Sequence, residues 1–354
     1  MAELRTRKMP VVAQDPGVRL DDDRILTTTV SVPWEDLQPG PIGHRVCVID
    51  YDSSTGKMYS PAVVDGSEPA SDEALLGDPG FHAANVYALV MRTLARFEYA
   101  LGRRVAWGFK AHQLKVVPHA FEEMNAFYSR EAESLVFGYY PAEKGMAFTC
   151  LSHDIVVHET SHALLDGLRE RFMSPSSPDQ AAFHEGFGDI VALLSVFSLK
   201  QVLQTLLAQS TPAGLRRKGL VAKKEVSRER LMKSVLLGLA EEMGPATGSA
   251  TGALRRSVEI PPDVNILKRP EYEEAHNRGE ILVAAMMQTF VDAWTRRLGS
   301  LGTIGGKYLD LERVGEEGAA IADVLLTMAI RAIDLHAPDS HRFRRLPERP
   351  RHRR

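Results

Sequence analysis

Cysteine is nearly absent: Cys47 and Cys150 are the only two in 354 residues. Two thiols cannot build a disulfide framework, so the fold must rest on a hydrophobic core. No apolar run approaches the ~18–20 residues that span a bilayer, so no transmembrane helix is expected. An excess of either charge is also missing. The net charge of -3 gives no general pull toward nucleic acid or an anionic membrane surface. The opening residues MAELRTRKMPVVAQDPG carry charges but no apolar stretch like the core of a signal peptide. The expectation is a cytoplasmic protein with neither a nucleic-acid nor a membrane partner, export by an unrecognised route staying open. The sequence says nothing of oligomeric state.

What is present is ordinary for a globular chain, with 44% hydrophobic and 25% charged residues. Residues 1–76 are rich in Pro, Gly, Asp and Thr, and short β-like runs such as RILTTTV and HRVCVID alternate with turn signals. They read as a β-rich N-terminal arm or small lobe. A helix follows, with Asp78 as its cap, Pro79 in its first turn and Gly102 at its stop. Val86, Leu89, Val90, Leu94, Phe97 and Leu101 recur along it at helical spacing. HQLKVVPH and SLVFGYYP read as strands, and from about residue 153 the pattern is helical. The basic stretch LRRKGLVAKKEVSRER reads as a solvated helix face or loop, and the arginine-dense tail 339–354 as disordered.

The chemistry gathers in HETSHALLDG, His158 to Gly167. Four helical residues advance ~400° and ~6 Å, which sets His158 and His162 on one face, one turn apart. Both imidazoles can then reach one zinc ion at ~2.0–2.1 Å. Glu159 lies ~100° around the helix, beside the ion, where a carboxylate can take a proton from a water. Taken alone, this short pattern is only suggestive. A second helix, AAFHEGFGDIVALLSVF, adds Glu185 and Asp189 on one face. Glu185 can be the third ligand, and Asp189 can hold a ligand histidine in one tautomer. Gly186 and Gly188 each cost this helix ~1 kcal/mol relative to alanine, a cost that makes sense if two backbones approach closely there. The zinc helix is expected over 153–171 and the second over 179–208. One three-ligand set, with no second cluster apparent, sets the expected content at one zinc per chain.

From about Asp78 to Leu298 these motifs, in order, resemble the thermolysin-like neutral zinc metallopeptidases, the gluzincins. VVHETSHALLDG is similar to the family's zinc helix and HEGFGDI to its glutamate-plus-aspartate helix. MNAFYS resembles the edge strand that binds substrate backbone, which implies that role for Asn125 and Ala126. GALRRS resembles the segment with a carbonyl-binding arginine, which implies Arg255, with Arg256 as a close rival. EEAHNRGEILVAAM resembles the segment whose histidine stabilises the reaction intermediate, here His276, with Glu271 or Glu274 to orient it. The resemblance implies an α+β, two-lobed fold, with the metal between a β-containing N-terminal lobe and a helical C-terminal lobe. The catalytic domain would cover 77–338. It implies a zinc metalloendopeptidase acting on a peptide or protein substrate, with Glu159, His276 and Arg255 catalytic. The alternative is a weak or inactive homologue that binds extended peptides. The chain departs from the family in four ways. The loop before Glu185 is longer, and His184 stands where asparagine is common. Phe172 and Met173 occupy the neighbourhood of an expected tyrosine. Asp154 matches one calcium ligand, but Val196 replaces the next, so calcium is expected to be dispensable.

Overall fold

The computed structural model describes residues 5–17, 24–66, 71–142, 145–169, 177–209, 211–232 and 264–335. Helices and strands are both abundant, so the molecule is α+β. Strands β1 (Thr6–Val12) and β2 (Thr27–Pro33) form an antiparallel hairpin. Alternation in TTTVSVP buries Thr28, Val30 and Val32 and leaves their neighbours in solvent. β3 (Val46–Val48) lies elsewhere, as the outer strand of the main sheet, and β4 (Tyr51–Asp52) and β5 (Lys57–Met58) make a short ribbon.

Helix α1 (Asp72–Gly77) leads into α2 (Pro79–Leu101). The Asp78 side chain accepts from Gly80 N, Pro79 begins the helix, and Gly102 stops it at φ 67°, each as the sequence predicts. Val86, Leu89, Val90, Leu94 and Phe97 are buried along α2, which packs on the hairpin and on β3.

The main sheet runs β3–β6–β8–β7, where β6 is Leu114–Phe121, β7 Ala126–Ser129 and β8 Ser134–Ala142. β3, β6 and β8 are parallel, and β7 closes the order antiparallel to β8. β9 (Gly145–Phe148) pairs with the far half of β8. β7 is therefore an edge strand, and its open side lies along α3 (His153–Leu168).

Every residue of α3 from His153 to Asp166 is buried. The sequence pattern predicts one apolar face, whereas this helix is enclosed on all sides. Its polar side chains must then find partners inside the protein. Thr160 and Ser161 donate back to Val156 O and Val157 O at 2.6 and 2.7 Å, and His153 Nε2 lies 3.1 Å from Ser195 Oγ. The remaining polar groups of α3 converge on the site described below.

The second helix predicted over 179–208 is in fact two. α4 (Pro178–Phe197) and α5 (Lys200–Gln209) meet at a bend of 77°. Arg92 of α2 lies at the break, donating to Ser195 Oγ and Ser198 Oγ at 2.7 Å each. α6 (Ala213–Arg216) follows. Within the basic stretch, Leu220–Ala222 forms strand β10, paired with β11 (Tyr308–Asp310) around the buried Val221. The last long helices are α7 (Ala275–Gly299) and α8 (Leu311–Leu335). The periodic apolar residues suggest that α7 begins near 280, but the Glu274 cap starts it at Ala275. Buried residues from Met9 to Ile333 form a single hydrophobic cluster, and the N-terminal segment contributes to it. No described helix is long and apolar enough to cross a membrane.

Candidate metal centre

α3 and α4 pack side by side and α7 crosses α4. His158, His162 and Glu185 each offer a donor atom, and the three lie within 4.8 Å of one another. Glu185 Oε2 is 3.4 Å from His158 Nε2 and 3.5 Å from His162 Nε2. A tetrahedral ion with bonds of ~2.0–2.1 Å separates its donors by ~3.3–3.4 Å, so these residues fit zinc with little movement. Asp189, one turn beyond Glu185, places Oδ1 2.9 Å from His158 Nδ1. A carboxylate there points the opposite ring nitrogen at the ion.

The glycines of α4 make this approach possible. A Cβ on Gly188 would stand 3.0 Å from the His158 ring. A Cβ on Gly186 would stand 2.8 Å from Gly279 O of α7. The close backbone approach expected from these glycines is present at Gly186, with α7 as the partner, whereas Gly188 makes room for the His158 side chain.

The electrostatics suit a cation. Burial raises the Glu185 pKa, but hydrogen bonds from His158, His162 and His184 outweigh it and hold the carboxyl far below its usual range. Burial disfavours charge on His158, yet the Asp189 and Glu185 carboxylates more than reverse this and raise its pKa well above normal. His162, pushed down by burial and then by His158, falls to about 3 and keeps a free lone pair. Burial pushes Glu159 up to about 7, with His158 opposing and Glu185 adding to the rise.

A cavity of about 260 Å³ opens on this cluster, lined by Ala126, Phe127, Tyr128, His158, Glu159, His162, His184, Glu185 and His276. His276 lies in the first turn of α7, with Nδ1 3.6 Å from Glu185 Oε2. The Glu274 carboxylate accepts from the backbone N–H groups of His276 and Asn277, so it caps the helix. Glu271 contributes its carbonyl, which accepts from the Asn277 side chain.

The edge strand lies where its pattern predicts. Tyr128 N, on the open side of β7, donates to Glu159 Oε2 at 3.1 Å. Tyr128 OH donates to Asp166 Oδ2 at 2.7 Å, and Arg130 also pairs with Asp166. Asp166 thus fastens β7 to α3. The sequence reading passed over it, although it stands four residues beyond His162 on the same helix face. Ala126 lines the cavity, but the exposed Asn125 does not: its Oδ1 accepts from Ala126 N, folding the side chain onto its own strand. Arg255, Arg256, Phe172 and Met173 lie outside the described residues. His184, read only as a departure, is part of the wall. It stacks on His162 with ring centroids 4.1 Å apart.

The expectation of one cluster needs correcting. Among the described residues a second group of donors, His82, His119 and Cys150, also lies within 4.8 Å. Its members are widely separated in sequence, so no spacing reveals them. No protein-family model matches the chain, and no curated protein matches it in sequence.

Proposed function

We propose that the protein is a zinc-dependent endopeptidase of thermolysin-like arrangement, which hydrolyses a peptide bond with an activated water. The observation that carries this reading is the spacing of His158, His162 and Glu185 around one point, with Glu159 and the edge strand β7 on the same cavity. A zinc ion held there supplies a Lewis acid and lowers the pKa of a water to ~7. Glu159 is the proton carrier. Its burial keeps its pKa near neutrality, where a carboxyl group can both accept a proton and pass it on. An extended substrate adds to the open edge of β7 by β-augmentation, replacing the Tyr128 N–H contact and leaving Glu159 free. His276, at the positive end of α7, offers a ring N–H to oxygen that gains charge.

The second reading is a homologue that binds extended peptides without efficient turnover. Two contacts favour it: Glu159 is engaged by the strand that would receive substrate, and the Asn125 side chain turns away from the cavity. Glu159→Gln separates the two readings. The amide keeps the shape but cannot accept a proton, so this variant should fold, hold zinc and lose at least ~10²–10⁴-fold in peptide-library cleavage. Undiminished cleavage excludes Glu159 as the base, and no cleavage by the zinc-loaded wild type leaves the binding role.

A further inference from the structure

His82 of α2, His119 of β6 and Cys150 meet beneath the main sheet, Cys150 sitting in a single 3-10 turn (Thr149–Leu151) just before the zinc helix. All three are buried, at 1%, 1% and 0% exposure. Phe148 covers both rings, with centroids 4.6 Å from His82 and 5.4 Å from His119, and Tyr59 covers His119 at 4.9 Å.

The proton inventory of the two rings is informative. A neutral imidazole carries one proton on two nitrogens. His82 Nε2 lies 3.0 Å from Leu75 O, which only accepts, so the His82 proton belongs there. His119 Nδ1 lies 2.9 and 3.0 Å from the oxygens of Asp50, and its proton belongs there. The inner nitrogens, His82 Nδ1 and His119 Nε2, then face each other as lone pairs across 2.8 Å. Such a contact is repulsive unless a positive centre lies between them. A third proton would do, as a His119 imidazolium paired with the Asp50 carboxylate. A metal ion would also do, and it alone gives the third donor a purpose.

We infer that His82, His119 and Cys150 form a second metal site, for a divalent ion of zinc's class, distinct from the His158–His162–Glu185 centre. The outer nitrogen of each histidine is already held by an acceptor, as in metal-ligating histidines generally. Two imidazoles and a thiolate select borderline-soft ions such as zinc over calcium or magnesium. Charge balances: the thiolate and the Asp50 carboxylate offset the two positive charges, and the Cys150 thiol proton leaves to solvent. The Cys150 backbone is pinned, because Asn85 Nδ2 donates to Cys150 O and Asn85 Oδ1 accepts from Val12 N, at 2.9 Å each. The 2.8 Å gap is ~0.5 Å shorter than the donor spacing around zinc, so the rings separate by about that much on loading. The ion ties α2, β6 and the approach to α3 together, a structural role remote from substrate.

Cobalt titration of the metal-stripped full-length protein tests this, because only this site contains sulfur. The expected result is two equivalents of Co²⁺, with a thiolate-to-cobalt charge-transfer band tracking one of them. Cys150→Ser should lose the band and one equivalent while keeping its circular dichroism, and Cys47→Ser should keep both. His162→Ala should retain the band. The proposal is overturned if the wild type shows no such band, leaving a proton between the rings, or if the band survives in Cys150→Ser. Should Cys150→Ser fail to fold, sulfur in the X-ray absorption fine structure of the two-cobalt wild type decides. A missing sulfur ligand there overturns the site. Loss of the other equivalent alone would instead strike at the His158–His162–Glu185 reading.

Discussion

Asp154 stands in the first turn of α3, where a lone acid would favour the positive helix end. It is not alone. Asp15 lies beside it from the N-terminal segment, and Ser152 bonds to both carboxyls. Burial, and then the charge of Asp15, push Asp154 up to about 6, while burial also raises Asp15. A carboxyl whose folded pKa is raised binds its proton more tightly in the native state. Stability is therefore greatest below the unfolded value near 4 and declines as pH rises toward 6. Asp154→Asn keeps an oxygen for Ile155 N and Ser152 but removes the ionisation. It should raise neutral-pH stability, by on the order of 1–3 kcal/mol, and change little at pH 4. Urea unfolding at the two pH values checks this, and a variant equally destabilised at both would refute the buried-charge account.

At the scale of elements, the site depends on how closely three helices approach. Gly186 of α4 and Gly279 of α7 meet backbone to backbone, and this crossing brings His276 to the rim of the cavity. Alanine at 186 gains ~1 kcal/mol in helix propensity. Its Cβ, 2.8 Å from a carbonyl oxygen that cannot swing aside, costs ~1–3 kcal/mol in overpacking. Gly186→Ala should therefore lower the melting temperature by a few degrees and weaken zinc retention. Gly299→Ala, where an added Cβ meets nothing within 4 Å, should not. Equal behaviour of the two variants in a thermal melt would mean that the crossing tolerates separation. The 77° bend after α4 is likewise held by contacts from outside its own segment, those of Arg92 to Ser195 and Ser198.

Over the whole molecule, metal binding at the proposed centre would be linked to folding. The donors His158, His162 and Glu185 come from two helices that only the folded chain brings together. An ion at a hundred times its Kd stabilises the fold by ~2.7 kcal/mol. Zinc chelation should lower the melting temperature reversibly, and His162→Ala should remove the share that belongs to this centre. Calcium-selective chelation at zinc-sparing concentrations should leave the melt unchanged, because Asp154 and Asp15 are too few to supply 6–8 oxygen ligands. A large drop with zinc still bound would reveal a calcium site built from other residues.

The local features of this protein are determined by sequence alone. The cap, start and stop of α2, the two-residue alternation of β2, and the one-turn spacing of His158 and His162 each follow from neighbours a few positions apart. The pairing of Glu185 with that helix was also legible, because both motifs carry periodic ligand types on buried helices. Only the tertiary structure decided what depends on distant segments. It enclosed α3 on every side, split the second helix in two, placed Asp15 against Asp154 and left Asn125 outside the cavity lining. It also assembled His82, His119 and Cys150 from a helix, a strand and a turn. The physical reason is range. Capping, periodicity and ligand spacing act within a few residues along the chain, whereas burial and coordination act across a few ångströms of space, whatever the separation in sequence.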